Sequence, residues 1–211
     1  MLRAAGSGAT MLETHDLSFR YSTKTPWIFR ALSLRIAPRE MVGLSGPSGR
    51  GKSTLARVLC GYLSSPTGSI RVDGQEPGPG YHPVQLLFQH PELAVNPRFK
   101  ARQILKEAWT PEPELLDALR IRPEWLDRYP HELSGGELQR ICVARALDPR
   151  TRFLVADEMT SMLDAITQAQ IWKVVAEQVR TRDLGVYVIS HDADLLARLC
   201  SREDDFFTAI P

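Results

Sequence analysis

A chain of 211 residues, 43% hydrophobic and 24% charged, can close a core around one large domain with a small appended lobe. Its 26 Lys and Arg against 25 Asp and Glu leave a formal charge of +1, which excludes a domain-wide basic footprint for nucleic acid or an anionic membrane. No apolar run reaches the roughly 18–20 residues needed to span a bilayer, and Cys60, Cys142 and Cys200 lack CxxC or Cys/His ligand spacing, so they read as reduced structural thiols of a cytosolic protein.

Along the chain, MLRAAGSGAT at residues 1–10 carries no apolar h-region and reads as a flexible tail ahead of one domain over 11–211. Alternation in LETHDLSFRY (Leu12–Tyr21) and ALSLRIA (Ala31–Ala37) predicts two half-buried antiparallel strands. MVGLS (Met41–Ser45) is continuously apolar, as a strand buried on both faces of a parallel sheet would be, and a helix is predicted over Lys52–Tyr62. GQEPGPGYHP (Gly74–Pro83) reads as an exposed loop. From Pro91 to Pro130, short helical pieces (KARQILKEAW, PELLDALR, PEWLDRY) are separated by prolines, with no strand candidate. With the helix predicted over Gly136–Ala146 they make a helical lobe at about 91–146, inserted in the core. Two more buried runs follow, FLVAD (Phe153–Asp157) and VYVIS (Val186–Ser190), alternating with helices over Ala165–Arg180 and Ala193–Cys200. The expected fold is α/β: a central, mainly parallel sheet, an N-terminal antiparallel β subdomain and the helical insert.

The polar residues of interest sit where the buried runs end, which is where parallel sheets bind ligands. GPSGRGKST fits the phosphate-loop pattern between strand and helix, with Gly46, Ser48, Gly49, Gly51, Lys52, Ser53 and Thr54 as candidate phosphate-binding residues. Its glycines let backbone N–H groups turn toward phosphate oxygens. Lys52 would reach the β and γ phosphates, and the Ser53 hydroxyl would ligate magnesium. Asp157 closes the second run in the position of a magnesium carboxylate, and Glu158 beside it can face an attacking water as general base. Alone, such an acidic pair is also an ordinary solvated strand end. His191 closes the third run; a lone histidine there is more often structural, but its equivalence to the other strand ends marks it as a γ-phosphate contact. A second glycine-rich stretch, HELSGGELQR, places Ser134, Gly135 and Gly136 directly before a helix, another anion-binding end.

Together these motifs resemble the ATP-binding subunits of ABC transporters, over roughly residues 12–200. LSGGE (Leu133–Glu137) is similar to that family's signature and is the most specific of them. The resemblance implies that Tyr21 stacks on adenine and that Gln89, in LLFQHPELAVNPR, senses magnesium and the attacking water. It makes Glu158 the catalytic base and His191 the switch histidine, and SMLD (Ser161–Asp164) resembles the D-loop. Nucleotide contacts then include Ser134, Gly135, Gly136, Glu137 and Asp164; Ser53, Gln89 and Asp157 serve the metal. ATP and Mg2+ are the implied cofactors. The implied partners are a second ATP-binding subunit in a head-to-tail dimer (same chain or paralogue), integral-membrane permease subunits and an extracytoplasmic solute-binding protein, with no nucleic acid. The second glycine-rich stretch is thereby explained: it closes over the partner's nucleotide. The implied location is the cytoplasmic face of the plasma membrane.

FQHPELAVNPR, YPHELSGGELQRICVARAL and DEMTSMLDAITQAQIW further resemble the peptide, opine and nickel importer subgroup. Met159 stands where most of the superfamily has proline, the lobe between Gln89 and Ser134 is shorter than usual, and no long C-terminal extension follows His191. Two other classes compete. Soluble ABC-type ATPases acting on nucleic acid carry coiled-coil insertions or tandem cassettes. A P-loop small-molecule kinase leaves LSGGE and His191 without a task.

Overall fold

The computed structural model describes residues 11–207; the tail expected at 1–10 lies outside the described residues. β1 (Leu12–Phe19) pairs antiparallel with β2 (Phe29–Leu32), β3 (Arg35–Ile36) and β5 (Thr67–Val72). The strand expected over Ala31–Ala37 is therefore broken in two. The cause is Thr14, whose buried hydroxyl donates to Leu32 O (3.1 Å) and accepts from Leu34 N–H (3.0 Å), replacing ladder bonds at the break. β5 has no counterpart in the sequence reading, because TGSIRV shows no clean alternation.

The second sheet is parallel throughout, in the order β6 (Val84–Leu87), β7 (Phe153–Asp157), β8 (Gly185–Ile189), β4 (Met41–Leu44), β9 (Arg202–Asp204). β4 and β8 are buried along their whole length, and β7 up to Asp157. Alternate residues feed two cores. Leu154, Ala156, Val186 and Val188 face α4 (Gly135–Ala146) and α5 (Ala165–Thr181); Val155, Tyr187, Ile189 and Leu44 pack with α1 (Lys52–Leu59) and β1. Each Val, Leu or Ile among them contributes about 1.5–3 kcal/mol by leaving water, and covering both faces is what keeps the three strand ends in register.

α1 stops short of the expected Tyr62. Gly61 (φ +74°) turns the chain out, while the Tyr62 N–H bonds back to Arg57 O at 2.8 Å. Between β6 and β7 every described element is helical: a 3-10 turn Pro91–Ala94, α2 (Ala101–Lys106), α3 (Pro113–Ala118), 3-10 turns Pro123–Trp125 and Pro130–Glu132, then α4. Proline opens α3 and each 3-10 turn, where its missing N–H costs nothing. α6 (Ala193–Leu199) leads from β8 to β9. Cys60, Cys142 and Cys200 are free thiols, the first two buried. No described helix is long and apolar enough to cross a membrane.

Candidate active site

The loop after β4 is shaped by glycine. At Gly51 the backbone has φ +105°, and a Cβ there would lie 2.3 Å from Ile28 Cγ2, so conformation and space both demand glycine. With Gly51 as its N-cap, α1 begins without a side-chain cap, and its first amides remain available to an anion. Lys52 is buried, and its Nζ donates to Gly46 O (2.7 Å) and Pro47 O (2.8 Å) within the loop. Phosphate oxygens entering the loop would be stronger acceptors than those carbonyls. Tyr21 stands at the mouth, 59% exposed, its ring edge-on to Phe19 and its hydroxyl 3.1 Å from Thr54 Oγ1. More than half of the Tyr21 side chain is thus available to a planar base.

At the end of β7, Asp157 is hydrogen-bonded to the Ser53 side chain. Burial pushes the Asp157 carboxyl above its usual range; the Ser53 bond opposes this, Glu158 adds to it, and Arg57 and Lys52 offset part. A hydroxyl and a half-buried carboxylate in contact form a hard-oxygen pair suited to Mg2+, which takes one or two protein ligands and completes its shell with phosphate and water. Among the described residues, no group of three or more His, Cys, Asp or Glu side chains is placed to hold a metal ion.

Glu158 leaves the strand with φ +49°, a left-handed conformation that a non-glycine residue rarely adopts, while its N–H bonds to Ile189 O at 3.0 Å. The turn sends adjacent carboxylates different ways: Asp157 to Ser53, and Glu158 to His191, with Oε2 3.3 Å from Nδ1. Gln89 lies just beyond β6 and donates from Nε2 to Ser161 Oγ at 3.1 Å; Ser161 in turn donates to Glu158 O at 3.0 Å. A cleft of about 520 Å³ is lined by Tyr21, Ser48, Gly49, Gly51, Lys52, Ser53, Thr54, Gln89 and Glu158, so the fold brings these candidates together. Two positioning features are absent from the sequence reading. One is Ser161 as the link from Gln89 to Glu158. The other is β6 itself, whose VQLL run was the available signal.

The second glycine-rich stretch lies elsewhere. Ser134 caps α4 through a reciprocal box, Oγ accepting from Glu137 N–H (3.2 Å) and Glu137 Oε2 accepting from Ser134 N–H (2.8 Å). The Gly135 and Gly136 amides, first in the helix, have no intrahelical acceptor. A Cβ on Gly135 would meet nothing within 4 Å. Ser134–Glu137 line a separate cavity of about 500 Å³ with Gln89 and Asp164, and no residue of Gly46–Thr54 lines it. Asp164 caps α5, accepting from Ile166 N–H (3.1 Å) and Thr167 N–H (2.9 Å); the Thr167 backbone bond leads the effects that hold its carboxyl below the usual range. Of the sequence candidates, then, Ser134, Gly135, Gly136, Glu137 and Asp164 stand apart from the phosphate loop of their own chain.

The family model described as "ABC transporter" matches residues 29–161. The chain belongs to the ABC transporter family. As an ABC cassette it is an ATP-binding ATPase. It is 32% identical to the probable D,D-dipeptide transport ATP-binding protein DdpF of Escherichia coli K12, across 92% of this chain and 68% of that one. It is 34% identical to the nickel import ATP-binding protein NikE of Rhodospirillum rubrum, across 95% and 79%. Among solved structures, an ATP-binding subunit of an ABC transporter superposes with TM-score 0.79 at 22% identity, covering 90% of this cassette and 83% of that chain. The dimeric bacterial cassette MJ0796 gives 0.76 at 22%, covering 91% and 92%. At that identity the likeness establishes the cassette fold, including the parallel and antiparallel sheets described above.

Proposed function

We propose that this cassette is the ATP-hydrolysing motor of an importer for a peptide, nickel or a related small solute. It works as a head-to-tail dimer with a second cassette beneath separate permease subunits, at the cytoplasmic face of the plasma membrane, supplied by an extracytoplasmic solute-binding protein. One observation carries the dimeric part: the phosphate loop and the open glycine amides of α4 line different cavities of one chain. Each needs a complement that the other end of a second cassette offers. The solute class rests on the relatives named for dipeptide transport and nickel import.

Tyr21 holds the adenine by its exposed face. Lys52 exchanges the Gly46 and Pro47 carbonyls for β- and γ-phosphate oxygens. Ser53 and Asp157, with Gln89 beside them, would hold Mg2+, which supplies positive charge to the phosphates. Gln89, moored to Ser161, orients a water toward the γ-phosphate. Glu158 takes that water's proton as its oxygen bonds to phosphorus and the bond to the β-phosphate breaks, giving ADP and phosphate. His191 holds the Glu158 carboxylate in place and contacts the γ-phosphate. Ser134, Gly135 and Gly136 of one chain close over the ATP of the other, with Glu137 shaping that helix end and Asp164 the loop beside it.

Purification of the native complex tests the reading. Multi-span membrane subunits and a second cassette should accompany the chain, and hydrolysis should rise when a solute-loaded binding protein is added. Recovery with nucleic acid and no membrane subunit would replace it with the nucleic-acid ATPase class.

A further inference from the structure

The turn that follows β7 holds Glu158 in a left-handed backbone (φ +49°), which an L-residue keeps only where its surroundings impose it. Part of the hold is internal: Glu158 O accepts from Ser161 N–H (3.1 Å) and from Ser161 Oγ (3.0 Å). Those bonds close the turn on itself without fixing where it points. Its entry is tied to β8, through Glu158 N–H to Ile189 O at 3.0 Å.

Its exit is tied to a different element. Trp172, on α5, donates from Nε1 to Thr160 Oγ1 at 3.0 Å, and the two residues are only 4% and 2% exposed. A buried indole N–H without an acceptor is costly, so the fold keeps this pair together. Nor can α5 follow the turn if it shifts, because Ile171 and Val175, flanking Trp172, are fully buried in the core beneath the parallel sheet. Packing does not replace the bond. A cavity of about 110 Å³ is lined by Glu158 and Thr160 of the turn, by His191 and by Trp172, so the turn is not wedged from that side.

We infer that Trp172 is a positioning residue for hydrolysis: its indole N–H, acting through Thr160, fixes the exit of the turn and so aims the Glu158 carboxylate at His191 and the attacking water. Trp172 is not among the residues lining the phosphate-loop cleft. It therefore sets the rate of the chemical step and leaves nucleotide binding alone. The inference rests on the assignment of Glu158 as the base, given above.

The test compares the full chain with Trp172→Phe, which keeps an aromatic ring and loses the donor, and with Thr160→Val, which loses the acceptor. Thr160→Ser, which keeps a hydroxyl, and the double variant Trp172→Phe/Thr160→Val complete the set. ATP affinity is measured by calorimetry, turnover at saturating ATP and Mg2+ by phosphate release, and stability by thermal melting. Each single loss of the bond should slow turnover by about 10- to 100-fold, the scale of a misplaced reacting group, with ATP affinity unchanged. Thr160→Ser should recover most of that loss. The double variant separates positioning from support. Thr160→Val strands the buried indole N–H and should melt early; adding Trp172→Phe removes the stranded donor and should restore stability, while turnover stays as low as in the slower single variant. Turnover that recovers together with stability overturns the inference, as do losses that multiply in the double variant, or ATP affinity that falls in step with turnover. If Trp172→Phe does not fold, Thr160→Val against Thr160→Ser decides by the same readouts. Glu158→Gln is measured alongside: near wild-type hydrolysis there removes the base assignment itself, whereas a slow Glu158→Gln with unimpaired bond variants removes only the role of Trp172.

Discussion

Glu158 and His191 meet across the ends of neighbouring parallel strands, Oε2 to Nδ1 at 3.3 Å, although 33 residues separate them in the chain. The carboxylate is largely covered and the imidazole is 63% exposed, so the pair has a protected carboxylate and an accessible partner. That asymmetry suits a base that must stay ordered while phosphate enters and leaves.

Glu158→Gln keeps the shape and the strand turn but removes the proton acceptor. Turnover should fall by about 10²-fold or more, with ATP affinity retained and an ATP-bound dimer accumulating on size-exclusion chromatography. Hydrolysis near the wild-type rate would move the base to another residue.

Lys52→Ala removes a buried ammonium that now rests on two loop carbonyls. Losing charge-assisted bonds to phosphate should weaken ATP binding by roughly 10- to 100-fold and reduce hydrolysis as well. Calorimetry showing unchanged affinity in a folded variant would refute the phosphate-loop assignment.

Asp157 gives a pH prediction. Burial raises its carboxyl in the folded state, so its contribution to stability is complete below the unfolded carboxylate's pKa and is lost as pH rises through the folded value. Without nucleotide and magnesium, Asp157→Asn should therefore melt above wild type at pH 7–8. The gap should close as pH falls below about 4, the ordinary aspartate range, while Mg2+-dependent hydrolysis is lost. A variant that melts below wild type throughout would show that the Ser53 bond outweighs the burial cost.

The shared site is tested by mixing two dead chains, one Lys52→Ala and the other Gly135→Asp. Because a side chain on Gly135 meets nothing within 4 Å in its own chain, the second variant should fold normally. Random pairing makes about half the dimers mixed, each with one complete site, so independent sites recover roughly a quarter of wild-type hydrolysis. If hydrolysis needs both sites, trapped ATP replaces turnover as the readout. A mixed dimer that forms but neither hydrolyses nor traps ATP would rule out a site shared between chains.

Contiguous features were legible in the sequence, and long-range ones were not. MVGL, FLVAD and GVYVI declare buried strands because each is apolar without interruption, and the loop at Gly46–Thr54 carries its chemistry in nine consecutive residues. β9 reads RED and is a strand only because β4 offers it a parallel edge; no local propensity marks it. β6 is four residues behind a proline- and glycine-rich turn. The Gln89–Ser161 contact joins residues 72 apart, and Tyr21–Thr54 joins residues 33 apart, distances over which no periodicity signals a contact.

The left-handed backbone at Glu158 sets this chain's fitness against its durability. A glycine there would relax a conformation that costs an L-residue on the order of 1–2 kcal/mol. A library screened for heat resistance alone should thus enrich glycine or asparagine at 158 and discard the proposed base. Among natural descendants, a cassette that has lost its turnover but kept its nucleotide should be recognisable by that replacement and by an unusually robust fold.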